Sequence, residues 1–150
     1  MKVISLASAN ITINNPNRGD LISFGGGGKQ LGSISYSFES DIFSRTTTPD
    51  GGYAFSHNAS KAGTVTITFT QTSSHIPTLA EYILWCRDNP DLAAAKILVT
   101  DSTGIINFEA VDCLPIKYPD NELGESANTR QFQFACGVIS PKEYLAGGNN

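Results

Sequence analysis

A strict alternation of apolar and hydroxyl side chains marks the stretch Gly63–Thr72, GTVTITFTQT. Val65, Ile67 and Phe69 occupy the odd positions, and threonines occupy the even ones from 64 to 70. A period of two places the two sets on opposite faces of a β-strand, and β-branched residues favour the extended backbone. The stretch therefore predicts a strand whose polar face is small, hydroxylated and uncharged.

The same alternation recurs in two other stretches. In Ser33–Phe38, serines alternate with Ile34, Tyr36 and Phe38. Thr129–Val138 predicts a last strong strand, with Phe132, Phe134, Cys136 and Val138 on one face and Gln131, Gln133 and Ala135 on the other. The hydroxyl faces have two interpretations that the pattern leaves open. They are the solvated side of an ordinary antiparallel sheet, or they line a channel, a groove or a neighbouring subunit.

The period changes between Ser73 and Asn89, where apolar residues recur at helical spacing. Leu79, Tyr82, Ile83 and Cys86 fall on one face at i, i+3, i+4 and i+7, with Trp85 beside them. Pro77 suits a first helical turn, Thr78–Glu81 has the spacing of a capping box, and Asn89-Pro90 ends the run. The segment predicts one amphipathic helix that packs on the sheet.

Further short strands are predicted in Val3–Ile13 and Leu21–Phe24, and Ile97–Thr100 pairs with Ile105–Val111 as a hairpin. The total of about eight strands does not alternate with helices. We therefore expect a mainly β domain over residues 1–150, an antiparallel β-sandwich or barrel with one flanking α-helix. Gly147–Asn150 is expected to be a short flexible tail.

Residues 40–62 are predicted to form an extended loop. Asp50-Gly51-Gly52 is a strong turn signal, and the sparse apolar residues Ile42, Phe43, Tyr53 and Phe55 cannot bury much area within their own domain. Long loops in compact domains are often functional or become ordered on a partner. A solvated hairpin extension is the alternative.

Composition narrows the possible partners. Charged residues make up 16% of the 150 residues, against about 25% in typical domains, as in the charge-depleted centres of protein interfaces. The net charge of −4 provides no basic surface for gripping phosphates. No apolar run is long enough to span a membrane. Cys86, Cys113 and Cys136 are far apart in sequence and are expected to be buried free thiols.

No catalytic, cofactor-binding or metal-binding constellation is recognisable, so we expect a protein that is not an enzyme and needs no cofactor. His57 and His75 are the only histidines, and neither has the sequence setting of a catalytic base. Gly25–Gly28 precedes Lys29, but a phosphate-binding loop needs a following Ser or Thr and a helix, where this chain predicts a strand. The acidic residues are scattered.

Several segments resemble the tail tube proteins of contractile-tailed bacteriophages. They are SDIFSRTTTPDGG at Ser40–Gly52, HNASKAGTVTITFTQTS at His57–Ser73, ANITI at Ala9–Ile13, the helix after them and the strand ending near Ile139. The resemblance covers nearly the whole chain and is most specific at Thr48–Gly52 and Gly63–Thr72.

The resemblance implies a small β-domain that forms hexameric rings, whose strands join into an inner barrel and whose stacking makes a tube for DNA passage. It implies that the loop reaches a neighbouring subunit, through Asp41, Phe43, Arg45, Thr48, Asp50 and Tyr53. We assign the lumen, as a hypothesis, to Ser33, Ser35, Ser37, Thr64, Thr66 and Thr68. The implied partners are further copies of the chain, the tail sheath, the baseplate or initiator and the tail terminator.

As a phage tail tube subunit, the chain is expected to be a virion protein that is assembled in the host cytoplasm. Two alternatives to this interpretation remain open. The chain could be the inner tube subunit of a phage-like injection particle, which the sequence does not separate from a phage tail. It could also be a soluble β-sandwich that binds a ligand as a monomer. The second alternative needs an exposed aromatic platform, which only Trp85 and the tyrosines could supply.

Overall fold

The computed structural model describes residues 9–19, 21–25, 31–70, 73, 75–101, 106–121 and 129–143. The strands among them are β1 (Ala9–Asn14), β2 (Leu21–Gly25), β3 (Leu31–Phe38), β4 (Phe43–Thr47), β5 (Tyr53–His57), β6 (Gly63–Thr70), β7 (Ala95–Asp101), β8 (Phe108–Pro115) and β9 (Thr129–Pro141). The helix α1 spans Ile76–Asp88, and a short 3-10 helix follows at Pro90–Leu92. Seven of these strands form one antiparallel sheet in the order β2-β1-β7-β8-β9-β6-β3, and β4 and β5 pair separately.

The predicted class, mainly β and antiparallel with one flanking helix, is confirmed. The sheet curls without closing into a barrel, since β2 and β3 are its two edges. Tyr36 of edge strand β3 shows the curl, because the centroid of its ring lies 4.5 Å from that of Phe108 on β8, three places away in the sheet.

The pKa of Tyr36 is raised to about 12. Burial is the main cause, and the hydrogen bond from the Tyr36 hydroxyl to the Glu143 carboxylate is the second.

The apolar sides of the strands and one side of α1 enclose a single cluster of buried side chains. Val65, Ile67 and Phe69 of β6 are fully buried, as are Phe132 and Phe134 of β9. On the helix, all four residues of the predicted apolar face are buried, which confirms that prediction: Leu79, Tyr82, Ile83 and Cys86. No helix among the described residues is long and apolar enough to span a bilayer.

The beginning of α1 differs from the prediction. The helix begins at Ile76, with His75 as an N-cap that makes no side-chain capping bond. Thr78–Glu81 lies inside the helix, so the capping-box interpretation is wrong. The position of Pro77 explains the earlier start, because proline is tolerated in the first turn, where its missing N–H has no helical partner.

Buried Asn15 ties the end of β1 to the helix. Its side-chain amide donates to the Tyr82 hydroxyl at 3.2 Å and to the Leu92 carbonyl at 2.9 Å. The Arg18 guanidinium lies 5.5 Å from the centroids of both Tyr82 and Trp85. A buried amide without partners is costly, so this network fixes where the helix sits on the sheet.

Strands β8 and β9 both change face at one point, which corrects the prediction that Val138 belongs to the apolar face. Asp112 has a φ of 58°, and the pairing register skips the Asp112/Gly137 position. Beyond the break the buried residues are Ala110 and Ile139, whereas Val138 is exposed. A local break of this kind shifts the two-residue period, as a β-bulge does.

Several predicted features lie wholly or partly outside the described residues. They are the tail at Gly147–Asn150, most of Gly25–Gly28, the start of the first strand, and residues 102–105, which include most of the turn of the hairpin predicted between Ile97–Thr100 and Ile105–Val111.

Gly63, the first residue of β6, lies against Ser37 of β3 and Ile139 of β9. A Cβ at this position would lie 2.2 Å from the Ser37 carbonyl oxygen and 2.7 Å from Cδ1 of Ile139. The first contact is with backbone that is held in the β3–β6 pairing, where Gly63 faces Phe38. The backbone approach therefore requires glycine.

We expect Gly63→Ala to lower the free energy of unfolding by about 3 kcal/mol or more, since overpacking against backbone has no inexpensive relaxation. Urea denaturation followed by circular dichroism measures this. Gly52→Ala is the matched control, because its added methyl meets only the side chains of Thr48 and Asp50 on the exposed hairpin. Equal stabilities for the two variants would contradict the close approach.

Candidate functional site

The six serines and threonines singled out from the sequence lie together on one surface. The register of β3 with β6 pairs Ser33 with Thr68, Ser35 with Thr66, and Ser37 with Thr64. The serines are exposed and the threonines are half-buried. These six residues form three adjacent hydroxyl pairs on the face of the sheet opposite the core.

Strand β9 extends this surface on the other side of β6. Gln133 lies beside Thr66, Gln131 beside Thr68, and Thr129 beside Thr70. The sequence pattern had placed Gln131 and Gln133 on the polar side of their strand, but it could not show that β9 is the neighbour of β6. We call the surface formed by Ser33, Ser35, Ser37, Thr64, Thr66, Thr68, Gln131 and Gln133 the hydroxyl–amide face.

The hydroxyl–amide face carries no charged side chain. Arg130 is the only charged residue of β3, β6 and β9, and it points into the opposite side, where it is buried. There its guanidinium donates to the Pro119 carbonyl at 3.1 Å and lies 5.4 Å from the centroid of the Tyr118 ring. The neighbouring strand β8 carries two charged residues, Glu109 and Asp112. Glu109 pairs with Lys96 at 3.2 Å and with Lys142 at 3.8 Å.

The segment predicted as an extended loop contains the two-stranded hairpin β4–β5. In its turn the Thr48 amide donates to the Gly52 carbonyl and the Gly51 amide donates to the Thr48 carbonyl. Gly51 has a φ of 88°. Hydrogen bonds from the Thr48 hydroxyl and then the Gly52 amide lower the pKa of Asp50. At the base of the hairpin, the Glu39 amide donates to the Ala62 carbonyl and the Asn58 amide donates to the Ile42 carbonyl.

Every residue of β4 and β5 is exposed. The pairing places Phe43 opposite His57, Arg45 opposite Phe55, and Thr47 opposite Tyr53, all on one side. We call this side the aromatic face of the hairpin. Phe43, Tyr53 and Phe55 each expose more than 60% of their surface. The structure thus places all six predicted loop residues on exposed backbone, with Arg45, Phe43 and Tyr53 on the aromatic face and Asp41, Thr48 and Asp50 at its base and tip.

The histidines do not meet. His57 packs against Phe43 on the hairpin with ring centroids 5.1 Å apart, and His75 lies at the start of α1, 6.0 Å from the Phe69 ring. Within the described ranges, no group of three His, Cys, Asp or Glu side chains is placed to hold a metal ion.

A groove of about 420 Å³ lies between α1 and residues 114–118, lined mainly by apolar side chains.

A family model for the bacteriophage PhiTE tail tube protein matches residues 1–143. The chain belongs to this tail tube protein family. The resemblance seen in the sequence is therefore confirmed. No curated protein sequence matches the chain.

Solved structures of contractile injection systems share the fold. A chain of the anti-feeding prophage baseplate superposes with a TM-score of 0.61 at 8% identity, covering 95% of this chain and 96% of that one. A chain of the PVC sheath-tube complex in the extended state gives 0.54 at 10% identity, covering 93% and 91%. A chain of the anti-feeding prophage tube terminating cap gives 0.53 at 10% identity, covering 95% and 92%. The family and these neighbours are structural components of tubes and baseplates.

We expect Thr66→Lys to leave the subunit folded, with a change in the free energy of unfolding below about 1 kcal/mol, because its side chain leaves the sheet on the open face. Ile67→Lys should prevent folding, since it places an unpaired charge in the core. Circular dichroism and urea denaturation of the two neighbouring variants give the comparison. A well-folded Ile67→Lys protein would contradict the assignment of the two faces.

Proposed function

We propose that this protein is the subunit of a phage tail tube, in which hexameric rings stack into a hollow conduit for DNA. The family match over residues 1–143 carries the proposal. The uncharged hydroxyl–amide face and the exposed hairpin support it, because a tube subunit needs one inert surface for the lumen and others for its neighbours. The chain would then reside in the virion after assembly in the host cytoplasm.

The lumen assignment follows from charge. Lys or Arg on a conduit wall would neutralise phosphates and hold the DNA through counterion release. The hydroxyl–amide face offers hydrogen bonds without positive charge, and the chain as a whole is acidic at −4. We propose that Ser33, Ser35, Ser37, Thr64, Thr66 and Thr68 face the lumen, together with Gln131 and Gln133. The conduit acts passively, and DNA crosses it without specific binding.

The dimensions agree with this assignment. The anti-feeding prophage baseplate is six-fold symmetric. The hydroxyl–amide face lies on β9, β6 and β3, and β8 is the next strand of the same sheet, which gives four adjacent strands. Six copies of four strands spaced about 4.8 Å apart give a circumference of about 115 Å. Strand tilt widens the ring to a backbone diameter of about 40–50 Å. That diameter leaves room for a DNA duplex inside the side chains.

The hairpin β4–β5 is proposed as the arm that contacts a neighbouring subunit. An isolated two-stranded hairpin is at best marginally stable in water, and exposed aromatic rings gain most when a partner covers them. The arm carries Asp41, Phe43, Arg45, Thr48, Asp50 and Tyr53, as the resemblance implies. Further partners under this proposal are the sheath, the baseplate or initiator and the terminator, with no insertion of the subunit into a membrane.

The inner tube of a phage-like injection particle is the second candidate. The structural neighbours described above come from the anti-feeding prophage and PVC, which are injection systems. Both candidates require the same ring and the same stacking, so they differ only in the cargo and in the particle that carries the tube.

Electron microscopy of the purified protein across concentration, with sedimentation in parallel, tests the assembly. We expect rings or hollow tubes of uniform width. Phe55→Ser should leave the free energy of unfolding within about 0.5 kcal/mol of wild type, because Phe55 exposes 63% of its surface and its ring contacts Tyr53 of the same hairpin. It should nevertheless abolish tubes. Ala54→Ser, on the other side of the hairpin, is the control. A wild-type protein that stays monomeric at every concentration would contradict the proposal and favour a ligand-binding module.

Tubes of Thr66→Lys should retain short duplex DNA at low salt in a nuclease-protected form, and release it at high salt, because the new ammonium groups line the lumen. Thr78→Lys, on an exposed position of α1, is the matched control. Any DNA that its tubes bind should remain open to nuclease. If folded Thr66→Lys protein cannot form tubes, Thr66 belongs to a subunit interface and the lumen assignment is wrong.

A further inference from the structure

Two buried cysteines face each other across neighbouring strands. Cys113 of β8 is paired with Cys136 of β9 in the sheet register. The amide of Ile116 donates to the Gln133 carbonyl, which makes that pair a hydrogen-bonded one. The register is regular from there back to Cys113, and the two kinds of pair alternate along an antiparallel ladder. Cys113 and Cys136 therefore form a non-hydrogen-bonded pair, the kind in which side chains lie closest.

The geometry of such a pair suits a disulfide. Cα atoms of a non-hydrogen-bonded pair are about 4.5 Å apart, which lies at the short end of the range of about 4.4–6.8 Å found for disulfides. Both side chains are on the core side of the sheet, with exposures of 0% for Cys113 and 4% for Cys136. The Cys136 thiol donates to the Phe134 carbonyl at 3.6 Å, and the two thiols shift each other's pKa in opposite directions.

The ladder is weakest immediately next to this pair. Register is skipped at Asp112 and Gly137, the residues adjacent to the two cysteines, and Asp112 has a φ of 58°. Local opening starts where backbone pairing is interrupted. We therefore expect a small reagent to reach the thiols through local opening at this point, without unfolding of the whole sheet.

The two thiols are chemically unequal. The interaction between them lowers the pKa of Cys136 and raises that of Cys113, and burial raises the latter further. Cys136 is also the more exposed of the two. Cys86 differs from both, because it lies on α1 and its thiol interacts with Tyr82.

We propose that Cys113 and Cys136 are an oxidisable pair that becomes a cross-strand disulfide when the protein meets a peroxide outside a reducing compartment. The pairing geometry does not depend on the proposed function. Only the role of the disulfide rests on the proposed function: in a tube that has left the host cytoplasm, the disulfide would stabilise each subunit after assembly.

The reaction balances with one hydrogen peroxide per pair. The Cys136 thiolate attacks one peroxide oxygen and the O–O bond breaks, giving a sulfenic acid on Cys136. The hydroxide that leaves takes up the proton that the Cys136 thiol released on ionising and becomes water. The Cys113 sulfur then attacks the Cys136 sulfur, forming the S–S bond and breaking the S–O bond. Water is released with the proton of Cys113. The two thiols lose two electrons, and the peroxide is reduced to two waters.

Peptide mapping of the peroxide-treated wild-type protein tests the proposal. Trypsin leaves the three cysteines on separate peptides, because Arg87, Lys96, Lys117, Arg130 and Lys142 cut between and around them. We expect the peptide 97–117 to be linked to 131–142 in the absence of reductant, and Cys86 to remain open to alkylation after denaturation. Dithiothreitol should reverse the link.

Thermal unfolding provides a second measurement. A disulfide that closes a loop of about two dozen residues should raise Tm by about 5–10 °C in the oxidised wild type and in Cys86→Ser. Cys136→Ser should show no such shift. Two free thiols after prolonged oxidation, oxidation of Cys136 to a sulfinic acid without a link, or a link that includes Cys86 would each overturn the proposal. The monomeric subunit suffices for these measurements, so a failure to form tubes does not affect them.

Discussion

The packing of apolar side chains between β6, β9 and the rest of the core is the interaction on which the other surfaces depend. Phe69 and Phe132 meet edge to face, with ring centroids 5.8 Å apart, and Phe134 and Ile67 are fully buried beside them. Because alternate residues leave a strand on opposite sides, burying this set also fixes which residues form the hydroxyl–amide face. A slip of one residue would bury the threonines and expose the phenylalanines. The core therefore sets the register of the polar surface.

The hairpin β4–β5 is not part of the seven-stranded sheet, and none of its residues belongs to the buried core. Strands β3 and β6 are held by pairing along their length, whereas the hairpin between them is joined to the sheet through its base, at Glu39–Ala62 and Asn58–Ile42. Among the described residues, the ring contacts of its aromatic face are within the hairpin, as between Tyr53 and Phe55, whose ring centroids are 5.6 Å apart. A segment of this kind contributes little to subunit stability and is therefore available to a neighbour.

The sequence predicted those features that depend on local periodicity. Alternation identified β3, β6 and β9, and helical spacing identified the buried face of α1 from Leu79 to Cys86. Strand order was not predictable. The pairing of β9 with β6 brings together residues about 60–70 positions apart, and neither strand has a sequence feature that specifies which strand it pairs with. For the same reason Gln131 and Gln133 could not be assigned to the surface that contains Thr66. The change of face at Asp112 and Gly137 was also missed, since it arises from two irregular strands that meet.

The two sides of the sheet carry different groups. The open side of β3, β6 and β9 is uncharged and polar, and the only charge on these strands, Arg130, is on the buried side, where Tyr118 and Phe132 cover it. Cys113 and Cys136 also lie on that side, so their oxidation changes no atom of the hydroxyl–amide face. Stabilising chemistry within the core can thus change without altering a polar surface of the kind that a conduit requires. The register set by the core makes this separation possible.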